Sequence, residues 1–231
     1  GLGDVYKRQE LVIDLVNPAG QPERMQLVVR GYNDGFAFCY KIPDGEGPRV
    51  NVQSELTAYN FAGDYTAWFY NGENHNIGPE KLTETDGTRL PVMTVKAGDK
   101  HYMAIHEACL ETGAPLVLQS KGGESLFSVA SKPTSLSPGY TSAWRVVLYG
   151  TTPGVLTDSH LLELLNPDPD SRYDFSWVKP GLAVWDWRIN GAVWDGFTYG
   201  MSYPSWVRMV DFAAEQGFKY LVLDANWYGP E

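Results

Sequence analysis

Residues 27–42 read LVVRGYNDGFAFCYKI, and this stretch decides the fold class of the region around it. Two runs of strand-forming residues, 27–30 and 36–42, flank the turn sequence Tyr-Asn-Asp-Gly at positions 32–35. In the second run, Phe, Phe, Tyr and Ile occupy alternate positions, which gives a strand one markedly more apolar face. The stretch therefore predicts an antiparallel β-hairpin.

Similar runs of strand-forming residues extend on both sides of this hairpin, and Gly, Asn, Asp and Pro separate them. A turn sequence at 97–100 joins two of these runs into a second hairpin. Because many short runs occur with almost no helical periodicity, the region predicts a β-sandwich rather than βαβ units. Five further runs support this prediction: 64–70, 91–95, 101–105, 115–119 and 143–149.

The pattern changes in the last third of the chain. The first plausible helix covers 156–165 and ends at an Asn-Pro-Asp-Pro sequence. Two dense apolar runs follow, 182–187 and 220–224, and each is typical of a buried strand. Between them, residues 191–202 are predicted to form a long glycine-rich loop, Pro204 suits the first turn of a helix, and Gly217 suits its end. Strand, helix and strand predict a parallel pair with a right-handed crossover, the beginning of a parallel α/β domain.

These patterns divide the chain into three predicted segments. Residues 1–9, GLGDVYKRQ, contain neither a start Met nor a signal peptide, and we interpret them as a non-native leader. Residues 10–175 are the predicted N-terminal β-sandwich, and residues 176–231 are the predicted start of the parallel domain. We expect both ends of the sequence to be cuts, so the missing signal peptide carries no information about secretion.

The composition is that of a globular protein with an excess of acidic residues: 43% hydrophobic, 20% charged and a formal net charge of -10. Nucleic-acid binding depends on Lys and Arg contacts to phosphates, so this charge excludes nucleic acid and anionic membrane surfaces as partners. No apolar run approaches the roughly twenty residues that span a bilayer. Whether Cys39 and Cys109 form a disulfide stays open, because their spacing matches no motif.

Seven segments occur in an order that is typical of one enzyme family: RGYNDGFAF (30–38), IHEACL (105–110), AWRVV (143–147), SWVKPG (176–181), WDW (185–187), FAAEQGFKY (212–220) and DANW (224–227). Together they resemble glycoside hydrolase family 97, the calcium-dependent α-glucosidases and α-galactosidases of gut and environmental bacteria. The resemblance covers roughly residues 10 to 231. The sequence departs from the family pattern at Cys39, where Arg is expected, and at 113–115, where a Tyr-Pro-Gly-Met-like stretch is typical.

The resemblance implies an N-terminal β-sandwich, a (β/α)8 barrel and a small C-terminal β domain, of which this chain would hold the later part of the sandwich and the first two barrel strands. It also implies an exo-acting enzyme of the periplasm or cell exterior that cleaves α-linked gluco- or galacto-oligosaccharides. Glycoside hydrolysis needs two carboxylates. In the family they come from later barrel strands, so we expect no catalytic residue in this chain.

Glu107 is the residue that the resemblance marks as a calcium ligand, contributed by the sandwich to the barrel mouth. From the residues alone, a solvent-facing glutamate at a strand end is the alternative interpretation. Calcium takes about six to eight oxygens. We therefore expect this chain alone to bind calcium weakly or not at all.

Asp186 and Asp224 end the two predicted strands of the parallel domain, at the edge where barrel enzymes place their active sites. Each could accept hydrogen bonds from sugar hydroxyls; alternatively, either caps the following loop or pairs with a neighbouring base. Trp185 and Trp227 stand at the same edge and could stack on a sugar ring, and packing in the barrel core is the alternative. These four residues are the predicted substrate-binding residues.

A non-catalytic carbohydrate-binding β-sandwich is the alternative function, and a different barrel hydrolase with a similar sandwich is a third. In the binding module, residues 182–231 would be a packing appendage. A buried strand 221–223 that pairs in parallel with 183–185 favours the enzyme, whereas an exposed or antiparallel tail favours the binding module.

Overall fold

The structure is a computed structural model that describes residues 7–20, 22–73, 76–224 and 227–228. It divides into two units, Gly1–Asp168 and Pro169–Glu231. The boundary that we predict between the two domains lies slightly later, between residues 175 and 176. Among the described residues, no helix is long and apolar enough to cross a membrane.

The first unit is built almost entirely of strands, and each of the five additional runs identified in the sequence overlaps one of them. The strands are β1 Gln9–Val16, β2 Pro22–Tyr32, β3 Gly35–Lys41, β4 Val50–Val52, β5 Ala58–Asn60, β6 Thr66–Tyr70, β7 Asn76–Lys81, β8 Asp86–Lys96, β9 Tyr102–Ala108, β10 Leu118–Lys121, β11 Leu126–Val129, β12 Thr134–Leu136 and β13 Trp144–Gly150.

Eleven of these strands form one antiparallel sheet in the order β1-β2-β3-β13-β9-β8-β10-β11-β5, with β6 paired to β7 and β8. Strands β4 and β12 pair separately. The predicted mainly β class is confirmed, as are the hairpins β2–β3 and β8–β9. Gly35 begins β3 beside β13, where a Cβ would collide with the carbonyl oxygen of Val147. Only glycine lets the two strands approach so closely.

The apolar side chains of the first unit form two buried clusters. One lies on β5, β6 and β8 to β11, and includes Phe69, Met93 and Phe127. The other lies on β2, β3, β9 and β13, and includes Ala37 and Cys39. The aromatic face of β3 is therefore not its most buried face, since Phe36 is 45% exposed while Ala37 and Cys39 are at most 1% exposed. Small side chains fit there because Trp144 and helical leucines already fill the space.

Two short helices, α1 Gly154–Asp158 and α2 Leu161–Leu165, replace the single helix predicted over 156–165. The prediction of one continuous helix was wrong because Ser159 takes an extended conformation between them. The break turns Leu161 and Leu165 into the second buried cluster. Burial of these two side chains outweighs the helical continuity that the sequence favours.

The second unit contains the predicted strand, helix and strand. Its elements are β14 Ala183–Trp185, α3 Asp186–Ile189, β15 Val193–Trp194, β16 Phe197–Thr198, α4 Tyr203–Gln216 and β17 Tyr220–Val222. Strands β14 and β17 pair in parallel, with Val184 opposite Leu221. Pro204 lies in the first turn of α4, and Gly217 ends the helix with a left-handed conformation.

The two parallel strands are not buried, which contradicts our prediction from their apolar runs. Trp185, Tyr220 and Val222 are each about two-fifths exposed, and only Val184 and Leu221 are partly buried. The reason is that two strands and one packed helix cannot cover both faces of a parallel sheet.

Candidate functional site

Glu107 lies inside the first unit, in the middle of the large sheet. It stands on β9 directly opposite Arg145 of β13. Its Oε2 atom is 3.7 Å from Arg145 Nη1 and accepts a hydrogen bond of 2.5 Å from the backbone N–H of Leu116. The side chain is 9% exposed. The alternative of a solvent-facing glutamate is therefore wrong, because antiparallel pairing brings β13 and its arginine alongside.

Arg145 is held more tightly by Glu55 than by Glu107. Its Nε and Nη2 atoms donate to the two carboxylate oxygens of Glu55 at 3.0 and 2.7 Å, a bidentate pair. The Arg145 side chain is 4% exposed. Within the described residues, neither its Nη1 atom nor the buried hydroxyl of Tyr59 has a hydrogen-bond partner.

Burial raises the pKa of the Glu107 carboxyl, and the Leu116 N–H and the Arg145 charge partly oppose that rise. Burial also raises the pKa of the Tyr59 hydroxyl, which lies in the same neighbourhood. Glu107 is thus a desolvated carboxylate held in a fixed orientation.

The donor set around Glu107 does not complete a calcium site. Among residues 7–20, 22–73, 76–224 and 227–228, no three His, Cys, Asp or Glu side chains come together as metal ligands. One Glu107 oxygen is already engaged by Leu116, and the Arg145 cation stands beside it. Calcium needs about six to eight oxygens, and the neighbouring Glu55 carboxylate is already paired with Arg145, so these residues alone do not supply the ligands of the ion.

The second candidate site lies in the second unit, where β14 and β17 end. Asp186 is 1% exposed and begins α3. Its Oδ2 atom accepts from the indole Nε1 of Trp206 at 2.9 Å, and its Oδ1 atom accepts from the backbone N–H of Asp224 at 3.0 Å. Asp186 therefore joins helix α4 to the end of β17.

Trp185 and Asp224 form the more accessible half of this site. The indole Nε1 of Trp185 donates to Asp224 Oδ2 at 2.9 Å, and the guanidinium of Arg188 lies 5.2 Å from the centre of the Trp185 ring. Trp185 is 37% exposed. Trp227 is 55% exposed and packs edge-to-face on Tyr228, and it joins none of these hydrogen bonds.

Three of the four predicted substrate-binding residues, Trp185, Asp186 and Asp224, are thus brought together by hydrogen bonds. Trp206 was missed, although an indole in the first turns of the crossover helix can reach back to the strand it follows. Because both oxygens of Asp186 already accept protein hydrogen bonds, Asp186 can orient its neighbours, while Trp185 and Asp224 present an indole face and a carboxylate at the sheet edge.

Comparison with protein families gives one match over most of the chain. A family model described as Glycosyl-hydrolase 97 N-terminal matches residues 5–167.

Two curated relatives match most of the chain. A retaining α-galactosidase of Bacteroides thetaiotaomicron is 28% identical over 241 aligned residues, which cover 86% of this chain and 36% of the relative. A probable retaining α-galactosidase of Streptomyces bingchenggensis is 30% identical, over 89% of this chain and 32% of the relative. The chain spans about a third of the length of these relatives.

Solved structures share the fold. A glycoside hydrolase family 97 enzyme from Pseudoalteromonas sp. strain K8, in complex with acarbose, has a TM-score of 0.75 and 24% identity, over 97% of this chain and 36% of that one. A β-arabinopyranosidase has a TM-score of 0.73 and 17% identity, over 98% of this chain and 42% of that one.

Proposed function

This chain belongs to glycoside hydrolase family 97, and from that membership we propose that it is the N-terminal part of an enzyme that cleaves α-linked galacto- or gluco-oligosaccharides. The observation that carries the proposal is the alignment of two curated relatives, a retaining α-galactosidase and a probable retaining α-galactosidase, over more than four-fifths of the chain. The two carboxylates of hydrolysis would then lie in sequence that this chain does not contain.

The parallel pairing of β14 with β17 supports the enzyme over the binding module. A parallel strand pair with a helical crossover is how an α/β domain begins. A segment that only packed against the sandwich would not need this arrangement. The hydrogen bonds of Asp186 bring the ends of both strands to one edge, which is where a barrel enzyme binds its substrate.

The experiment is to express the complete coding sequence that contains this chain and to purify its protein, which we call the complete product. The complete product is then assayed with p-nitrophenyl α-galactoside and p-nitrophenyl α-glucoside. We expect turnover of one of the two substrates, with retention of anomeric configuration in the first product by proton NMR. The 231-residue chain alone should show none. Turnover by that chain, or complete inactivity of the full product on all α-glycosides, would reject the proposal.

We also propose that Glu107 supplies one carboxylate to a calcium ion in the complete enzyme. What supports this role is a buried carboxylate whose direction is fixed by Leu116 and Arg145. A bound calcium ion would gather carboxylate oxygens and polarise the site. The remaining ligands would come from sequence outside the described residues.

Calorimetric titration with calcium separates this role from a structural one. The 231-residue chain should give little or no heat, while the complete product should bind calcium. Glu107→Gln in the complete product should weaken that binding, and circular dichroism should show that the variant is folded at the temperature of the titration. Equal calcium affinity of the variant and the parent would remove Glu107 from the ligand set.

A non-catalytic carbohydrate-binding module is the second candidate function, and the exposure of β14 and β17 is the observation in its favour. It predicts that the complete product binds oligosaccharides and releases no sugar from them.

For the enzyme we propose the periplasm or the cell exterior as its location, which cell fractionation with activity assays would test.

A further inference from the structure

We propose that the hairpin formed by β15 and β16 is a sugar-binding element, on which Trp194 stacks against a pyranose ring of an α-linked oligosaccharide. This inference rests on the proposed function and adds a subsite to it. The hairpin occupies the segment that the sequence presents as a glycine-rich loop between β14 and α4.

The hairpin is a defined structure with a tight two-residue turn. Val193 pairs with Thr198 and Trp194 with Phe197. The turn residues Asp195 and Gly196 both have positive φ angles, of 50° and 69°. An Asp-Gly pair in this conformation is the favoured connection of a two-residue hairpin.

The base of the hairpin is tied to itself and to helix α4. Backbone hydrogen bonds of 2.8 Å join Gly191 to Tyr199 and Tyr199 to Ala192. The backbone N–H of Gly200 donates to the buried hydroxyl of Ser205 at 2.9 Å. Ser205 precedes Trp206, which donates to Asp186, so the hairpin base and the Asp186 site share one piece of helix.

The aromatic side chains of the hairpin differ in their surroundings. Phe197 is partly buried, with the guanidinium of Arg208 4.0 Å from its ring centre and the ring of Tyr199 edge-on at 5.1 Å. Trp194, its cross-strand partner, is 75% exposed. The sequence thus anchors one aromatic ring and leaves the larger one in solvent.

A sugar ring suits this arrangement better than a purely apolar partner. The apolar C–H face of a pyranose can cover an indole, while its hydroxyls need donors and acceptors around the rim. The guanidinium of Arg208 lies over the ring of Phe197, and Phe197 is the residue that pairs directly with Trp194 across the hairpin. Asp195 adds a carboxylate at the turn.

The location of the hairpin agrees with this role. The chain leaves β14 at its C-terminal end, forms α3 and the hairpin, and then enters α4. The hairpin therefore rises from the same edge as Trp185 and Asp224, where a long substrate would extend beyond the first subsite.

The test uses the 231-residue chain labelled with nitrogen-15. The indole N–H signals of its tryptophans are followed by NMR during titration with panose and with raffinose. The Trp194 signal is assigned by its loss in Trp194→Phe. We expect a saturable shift of this signal with at least one of the two trisaccharides and none with glycerol. Trp177, which is 76% exposed in the segment before β14, is the matched control and should not shift.

Affinity measurements on variants complete the test. Trp194→Ala should weaken binding roughly three- to tenfold, the range expected for one aromatic stacking partner. Trp194→Phe should retain most of the affinity, Trp177→Ala all of it, and all three should melt like the parent. No saturable shift with either sugar, or parental affinity in Trp194→Ala, would overturn the proposal. If either of these results were obtained and the complete product still cleaved an α-glycoside, the Trp194 subsite alone would be rejected and the proposed function would stand.

Discussion

Arg145 and Glu107 face each other across strands β13 and β9, with Arg145 Nη1 3.7 Å from Glu107 Oε2. Glu55 reaches the same guanidinium from another part of the chain and forms the shorter bidentate contact. One buried cation thus lies between two carboxylates. Glu55 neutralises it, and Glu107 is held beside it by Leu116.

Breaking the Glu55–Arg145 pair should destabilise the first unit strongly. Glu55→Gln leaves a buried guanidinium without its bidentate partner, and removal of one member of a buried pair costs about 3–5 kcal/mol. Urea unfolding followed by circular dichroism measures this loss. Arg172→Met is the control, because Arg172 pairs with Asp170 in solvent and its loss should leave the unfolding midpoint unchanged. Equal midpoints for Glu55→Gln and the parent would contradict a buried pair.

The raised pKa of Glu107 predicts a pH-dependent effect of Glu107→Gln. A carboxyl whose folded pKa lies above its unfolded value binds protons more tightly when folded, so its contribution to stability falls as pH rises through that window. The window begins near the ordinary value of 4.5 and extends upward. The variant lacks this titration, so its free energy of unfolding relative to the parent should improve as pH rises above the ordinary carboxyl pKa of 4.5. A difference that stays constant, or moves the other way, would show that the Glu107 carboxyl is not desolvated.

Hairpins and helix ends of this fold could be predicted because the residues that determine them lie close together in the sequence. The hairpin of β2 and β3 follows from alternation around an Asn-Asp-Gly turn, and the ends of α4 follow from Pro204 and Gly217. The hairpin of β15 and β16 carried the same kind of signal, an Asp-Gly pair between strand-forming residues, and was overlooked inside a glycine-rich loop.

The surroundings of the site residues could not be predicted, because distant pairings create them. Glu55 lies 90 residues before Arg145, and Asp186 lies 20 residues before Trp206. The periodicity of apolar residues along the chain does not predict which distant residues come into contact. The burial of Glu107 follows from the position of β13 in the sheet, and the exposure of β14 and β17 follows from how few elements cover them.

Asp186 should act as a positioning residue in the second unit. Asp186→Ala removes the acceptor from the half-buried Trp206 indole and Asp224 amide, and a hydrogen bond to a charged group contributes about 1.5–3 kcal/mol. Hydrogen exchange should therefore accelerate at the Trp206 indole and the Asp224 amide. Asp224→Asn is the matched control, because it should change the Trp185 indole signal and leave that of Trp206 in place. Unchanged Trp206 exchange in Asp186→Ala would contradict this role.

Cys39 and Cys109 should not form a disulfide with each other under mild oxidation. Cys39 lies on β3 and Cys109 directly follows β9, and β13 runs between these two strands. Two strand spacings amount to about 9–10 Å, whereas a disulfide needs Cα atoms within about 7 Å.

Titration with Ellman's reagent tests this geometry. In urea, we expect two thiols per chain before treatment of the native protein with oxidised glutathione, and each thiol lost on that treatment should carry one added glutathione by mass. In native protein Cys109 should react first, because Cys39 is 1% exposed and burial raises its pKa to about 11, which leaves little thiolate at neutral pH. Cys39→Ala should remove the slow phase alone. Loss of both thiols without a change in mass beyond two hydrogens would show that the strands on either side of β13 come closer than the structure places them.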